Sequence, residues 1–255
     1  MSVLTETEDR RAVYPSLRDK RVLITGGGSG IGAGIVEAFA RQGSDVTFLD
    51  ILNGESSDLA ASTGSAFHRV DLTNVSATRQ CIGAIVERGG SFDVLVNNAA
   101  NDDRHKFDEV TEEYWDNRLN VNLKHHFFCA QAVVPGMRKN GGGAIVNLGS
   151  ISWHLALPEL PLYQTCKAAI EGLTRSLARD LGKDNIRVSC VVPGNVETPR
   201  QAQWYTPEAE AKLVEAQCIK TRIQPSDVAA LVTFLASDDA RVITGHEHFV
   251  DAGWR

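Results

Sequence analysis

Short apolar runs alternate with longer stretches of helical periodicity from about residue 22 to the end of the chain. Val22–Thr25, Asp45–Asp50, Ala66–Asp71, Asp93–Asn97, Ala144–Leu148, Arg187–Val192 and His248–Asp251 have the length and the branched or aromatic content of strands. After the first of them Ile31, Ile35, Ala38 and Phe39 recur at helical spacing, and similar patterns lie near 75–88, 111–138, 161–182 and 225–236. Strands that are apolar nearly throughout, with helices between them, predict a parallel sheet covered on both faces. The expected fold is α/β, a single doubly wound Rossmann-type domain with a parallel sheet of about seven strands. It would occupy residues 16–255, after a polar arm at 1–15. Ligands of such a sheet sit beyond the carboxyl ends of its strands.

Composition narrows the partners. The 255 residues are 43% hydrophobic and 23% charged, ordinary for a globular chain, with a net charge of -6. That charge gives no footing for a phosphate backbone, so nucleic acid is not expected. Five scattered cysteines without a C-x-x-C pair suit a reducing compartment. The N-terminal stretch is charged, and no run approaches the roughly 18 apolar residues of a membrane span. The expectation is a cytoplasmic protein with no membrane association. The seven histidines include no H-E-x-x-H and no Cys/His cluster at zinc spacing, so no metal site is expected. His246 and His248 would alternate on the last strand.

Three patterns carry chemistry. Thr25-Gly-Gly-Gly-Ser-Gly-Ile-Gly32 joins the first strand to the first helix. There glycines let a pyrophosphate approach the backbone amides, and the helix N-terminus favours its charge. Asp50 ends the second strand, 24 residues past Gly26, with Ile51, Leu52 and Asn53 after it. A carboxylate there accepts both hydroxyls of an adenosine ribose and repels a 2′-phosphate, which points to NAD rather than NADP. Tyr163 and Lys167 stand one turn apart in a helix that Pro161 can start, and Ser150 follows a strand thirteen residues before the tyrosine. A phenol ionises near pH 10, so a neighbouring ammonium would be needed to make it a base at neutrality.

Thr25, Gly26, Gly30 and Gly32, Asn97-Asn-Ala-Ala100, Asn122, Ser150, Tyr163, Lys167 and Pro193-Gly-Asn-Val-Glu-Thr198 resemble, in order, the motifs of classical short-chain dehydrogenases. The resemblance implies roles. Tyr163 would be the general acid/base, Ser150 would hold the reacting oxygen, Lys167 would lower the tyrosine pKa and bind ribose, and Asn122 would hold a water in a proton relay. The glycine turn, with Gly26, Ser29, Gly30, Ile31 and Gly32, would bind NAD together with Asp50, Asp71, Leu72, Asn97, Val196 and Thr198. Ala100 and Cys166 depart from the family's usual Gly and Ser; Cys166, on another helix face, reads as packing.

Rarer segments extend the resemblance to the bacterial D-xylose 1-dehydrogenases of that family: Asn101-Asp-Asp-Arg-His105, Ser150-Ile-Ser-Trp-His154, Gln203-Trp-Tyr-Thr-Pro207 and the Gly245-His-Glu tail. Polar groups mixed with indoles after three strands suit a ligand with many hydroxyls and one apolar face. Asn101, Ser150, His154, Tyr163, Asn195 and Trp204 are the candidate substrate residues, with 195–217 as a lid. The expected reaction is oxidation of an aldose, D-xylose first, at C1 to the lactone. Another sugar (L-arabinose, L-fucose, D-galactose) or a simple alcohol is the alternative, and a non-catalytic NAD sensor a further one. Relatives of this kind are homotetramers, which the resemblance implies here as well.

Overall fold

The computed structural model describes residues 11–202 and 205–255. Seven parallel strands, β1 (Arg21–Thr25), β2 (Asp45–Asp50), β3 (Ala66–Arg69), β4 (Val94–Asn97), β5 (Gly143–Leu148), β6 (Ile186–Pro193) and β7 (Glu247–Val250), form one sheet. Their order is β3-β2-β1-β4-β5-β6-β7. The order reverses between β1 and β4, and the crevice above that reversal is where such a sheet takes a ligand.

Alternation along the strands divides the core into two layers. Val22 and Ile24 of β1, Val96 of β4 and Val146 of β5 pack with Ile35 and Phe39 of α1 (Gly30–Arg41) and Val228 and Val232 of α9 (Pro225–Ala236). Leu23, Leu95 and Ile145 point the other way, onto Ile82 of α3 (Val75–Gly89) and Val133 and Met137 of α5 (His125–Lys139). Burying each such side chain contributes about 1.5–3 kcal/mol, and because both faces are covered, a one-residue slip would mispack both layers.

The expected elements are present, with differences that have local causes. β3 ends at Arg69 because Asp71 folds into an Asx turn, its Oδ1 accepting from Thr73 N at 2.9 Å and Thr73 Oγ1 at 2.7 Å. β7 begins at Glu247, so His246 precedes the strand instead of alternating with His248 on it. Two helices had no clear periodic signal: α2 (Gly54–Thr63) carries four polar residues in GESSD, and α8 (Pro207–Ala216) contains no buried residue. The helical stretch near 111–138 is α4 (Glu112–Leu119), a π turn at Asn120–Lys124 and α5. α6 (Pro161–Leu181) starts on Pro161 as expected, and the four-residue α7 is Pro199–Ala202.

Candidate active site

A cavity of about 810 Å³ runs along the carboxyl edge of the sheet, from Asp50, Asp71 and Leu72 at one end to Asn195, Gln201 and Tyr205 at the other. Gly26, Ser29, Gly30, Ile31 and Gly32 line one wall. Gly26 has φ +66°, and a Cβ on it would lie 2.6 Å from the Ala99 backbone, so only glycine fits the turn. Ser29 is the N-cap of α1 but makes no side-chain cap hydrogen bond. The amides of the first helical turn are thus left without a side-chain acceptor beside the cavity, as an anion-binding helix start requires.

Asp50 is buried and fixed from two sides. Its Oδ2 accepts from Gly28 N at 2.8 Å and its Oδ1 from Leu52 N at 2.9 Å, leaving lone pairs toward the cavity it lines. The register of β2 and β3 places Arg69 opposite Asp50, a cation that the residues after Asp50 could not reveal. Its Nε donates to the Ile51 carbonyl at 3.1 Å, and Arg69 is not among the residues lining the cavity.

Ser150, Tyr163 and Lys167 line the middle of the same cavity. Ser150 Oγ lies 3.0 Å from Ser152 Oγ and also bonds to the Tyr163 hydroxyl. Lys167 is 1% exposed; its Nζ donates to the Leu148 carbonyl at 2.8 Å and lies 5.4 Å from the centre of the Tyr163 ring. Burial pushes its pKa down to about 8. Burial also pushes Tyr163 above its ordinary value and Asp102 adds to the push, whereas the Ser150 hydrogen bond and Arg200 work against it. Both shifts follow from desolvation, which disfavours the charged form of each group. The resting tyrosine is a phenol. Cys166 is buried, its Sγ near the Arg118 carbonyl, consistent with packing.

Several expected residues stand elsewhere. Asn97 is wholly buried, its Nδ2 donating to Asn147 Oδ1 at 2.9 Å and to the His126 carbonyl at 3.2 Å, and its side chain does not reach the cavity. Its neighbours Asn98 and Ala99 line the wall instead, Asn98 Nδ2 donating to the Gly26 carbonyl at 2.7 Å. At the end of a strand successive side chains face opposite ways, and Asn97 takes the inward one. Asn122, in the π turn, is also fully buried. Its Oδ1 accepts from Asn101 N at 2.8 Å, and its Nδ2 donates to the Asn101 and Arg118 carbonyls at 3.0 Å, which fixes the loop after β4.

His154 is the clear correction. It does not line the cavity; its Nε2 donates to Glu171 Oε1 of α6 at 2.9 Å, and its ring lies 3.8 Å from that of Trp153 and 5.0 Å from that of Phe249. Trp153 Nε1 donates to the same carboxylate oxygen at 2.8 Å. A buried carboxylate needs donors, and these two side chains satisfy it instead of a ligand. Trp204 lies outside the described residues. Asn101 and Asn195 do line the cavity, Asn195 Nδ2 donating to Tyr205 OH at 2.9 Å. Val196 and Thr198 line it as well. Asp102, Arg104, Arg118, Arg200 and Trp254 are also among the lining residues; the last arrives from the far end of the chain, where no local signal announces it. Among the described residues no three His, Cys, Asp or Glu side chains gather as a metal ion would need. No helix among them is long and apolar enough to cross a membrane.

A doubly wound sheet with a glycine turn, a strand-end aspartate and a Ser–Tyr–Lys set in one crevice defines a nucleotide-dependent dehydrogenase. Residues 26–255 match the family described as "Enoyl-(Acyl carrier protein) reductase". The chain is also 34% identical, over 93% of its length and 88% of the relative's, to "Dehydrogenase/reductase SDR family member 4" of Pongo abelii. The chain belongs to the short-chain dehydrogenase/reductase family; it is an oxidoreductase acting on a CH–OH group with a nicotinamide cofactor. It is 61% identical to the D-xylose 1-dehydrogenase of Caulobacter vibrioides, over 96% of this chain and 99% of that one. It is 50% identical to the "Probable galactose dehydrogenase GalD" of Rhizobium meliloti, over 94% and 96%. The ligand-free aldohexose dehydrogenase of Thermoplasma acidophilum superposes with a TM-score of 0.86 at 30% identity, covering 94% of this chain and 96% of that one.

Proposed function

We propose that this chain oxidises an aldose, D-xylose foremost, at C1 to the aldonolactone with NAD as cofactor. The observation that carries the reading is the single cavity joining the glycine turn and Asp50 to Ser150 and Tyr163, in a chain 61% identical to a D-xylose 1-dehydrogenase. The reading takes residues 16–255 as one domain, with 195–217 over the substrate.

The residues present fit a nicotinamide dinucleotide. The uncapped amides at the start of α1, with Gly26, Ser29, Gly30, Ile31 and Gly32, would hold its pyrophosphate. Asp50 would accept the adenosine ribose hydroxyls, Asp71, Leu72, Asn98 and Ala99 would border the adenosine half, and Val196, Thr198 and Lys167 the nicotinamide half. When bound, the cofactor supplies the acceptor for the two electrons and hydrogen that leave C1.

The chain's own residues hold the oxygen and move the proton. Ser150 donates to the C1 oxygen and orients it toward Tyr163, which must first give up its own phenol proton to solvent and then, as the phenolate, takes the hydroxyl proton as C1 is oxidised. Lys167, tied to the Leu148 carbonyl beneath the tyrosine ring, fixes the distance between ring and cofactor ribose. Asn122 has spent its side-chain amide on Asn101 and Arg118, so it joins a proton relay only through its main chain. The relative that is 50% identical favours D-galactose as the second reading.

We also infer a cytoplasmic homotetramer. All five cysteines are unpaired, and the exposed Phe107, Trp115 and Phe127, in or beside α4 and α5, are a surface that such an assembly would cover. Sedimentation tests the assembly. A panel of pentoses and hexoses, followed by NADH absorbance, tests the activity. D-xylose should give the highest kcat/KM; a higher value for D-galactose would select the second reading, and no turnover of any aldose would overturn both.

A further inference from the structure

At the substrate end of the cavity two segments that are remote in sequence meet through charge. Arg200, at the start of α7, places its Nε 2.9 Å from Asp102 Oδ1 and its Nη2 3.2 Å from Asn101 Oδ1, and it also pairs with Asp103. Asp103 in turn receives Arg118 at 3.3 Å. The four charges of this network balance one another, and Arg104 lines the same end. Asp102 and Arg200 line the cavity that Ser150 and Tyr163 line, and both act electrostatically on Tyr163. Asp102 meets Arg200 through Oδ1, and its carboxylate lines the cavity.

A second observation points to the same ligand chemistry. Asn195 Oδ1 and Gln201 Oε1, on residues lining this end, are buried acceptors without a hydrogen-bond partner among the described residues. Buried acceptors are seldom left unsatisfied, and a group of them calls for a ligand bringing several hydroxyl hydrogens. Neither Asp102 nor Arg200 is among the candidate site residues named from the sequence, although Asp102 lies within the Asn101–His105 segment.

We propose that the Asp102–Arg200 bridge is the specificity-determining grip on the substrate: Asp102 accepts, and Arg200 donates to, hydroxyls on the carbons beyond the one oxidised. The inference rests on the aldose reading and names the residues that discriminate among aldoses. Charge-assisted hydrogen bonds are the stronger kind, and a site built for a hydroxyl rejects the analogue that lacks it. The bridge also explains why the loop after β4 is fixed so firmly by Asn122. The grip works only if both segments hold their places.

The test crosses variants with substrates. Asp102→Asn and Arg200→Gln are assayed with D-xylose and with its singly deoxygenated analogues, and NADH affinity is measured by fluorescence titration. Each variant should lower kcat/KM for D-xylose by roughly 10- to 100-fold, mainly through KM, with NADH affinity within about twofold. The analogue lacking the recognised hydroxyl should be poor for the wild type and lose little more in Asp102→Asn. Equal losses on every analogue would overturn the proposal, as would unchanged preferences. Should a variant lose NADH binding through misfolding, Asp102→Glu and Arg200→Lys, which keep the charges, carry the same comparison. A wild type inert toward every aldose would sink the aldose reading itself; an active wild type whose variants keep its preferences sinks only the grip.

Discussion

The two ends of the cavity are built by different means. The cofactor end is made by backbone: a glycine turn between β1 and α1, uncapped amides, and a strand-end aspartate held by two main-chain N–H groups. The other end, the proposed substrate end, is made by side chains from three separate segments, the loop after β4, α4 and α7, joined by Asn101, Asp102, Arg118 and Arg200. Backbone geometry follows from local spacing, because a turn and a helix start need only their own residues. A wall of side chains follows from which loops meet and which way each residue turns. On the proposed reading the first end would serve any dinucleotide-dependent reaction, and the second would decide what is oxidised.

Replacing the group between the two ends should have the largest effect. Tyr163→Phe removes the proton acceptor and keeps the ring over Lys167, so kcat should fall by roughly 10²–10⁴-fold while NADH affinity stays near wild type. Steady-state kinetics beside a fluorescence titration read both. Retained turnover would break the division, because the proton would then leave by a group at one end or the other.

The cofactor end is tested next by Asp50→Ser combined with Ile51→Arg. Wild type should favour NAD. Losing one charge-assisted hydrogen bond, about 1.5–3 kcal/mol, should narrow or reverse the ratio of kcat/KM for NAD over NADP by roughly 10- to 100-fold, with the aldose preference unchanged. Equal wild-type use of both cofactors would mean that Arg69, held against the Ile51 carbonyl, reaches the 2′-phosphate and outweighs Asp50.

Lys167→Met should abolish activity yet stabilise the ligand-free fold. The Lys167 pKa is about 8, below its ordinary 10.5, so the folded state binds fewer protons than the unfolded state between those values. Wild-type stability therefore rises with pH across that window, and the whole cost of burying the cation is present below it. The variant should be more stable by up to about 3 kcal/mol at neutral pH, less the bond lost at Leu148, with the gap closing above pH 10.5. Denaturant melts at several pH values measure it; a gap that widens with pH would contradict the assigned burial.

The smallest effect belongs to a residue that the sequence placed at the wrong end of the argument. His154→Ala should cost about 1–3 kcal/mol of stability by depriving the buried Glu171 of one donor, and should move the KM for D-xylose by less than about twofold. A large KM change with unaltered Tm would return His154 to the substrate wall.

The sequence by itself determined the sheet, its two-layered core, the glycine turn, Asp50, and the Ser150, Tyr163 and Lys167 set. Each of these rests on a period or a short spacing that a helix, strand or turn turns into geometry. The polar-faced α2 and α8 escaped because neither buries an apolar stripe that periodicity can show. Only the tertiary structure decided that Asn97 turns inward while Asn98 lines the wall, and that Glu171 claims both Trp153 and His154. It alone brought Arg200 onto Asp102 from 98 positions away. Loop residues carry no periodicity, and a polar side chain turns to whichever buried partner the fold brings within reach; that partner is not written beside it in the chain.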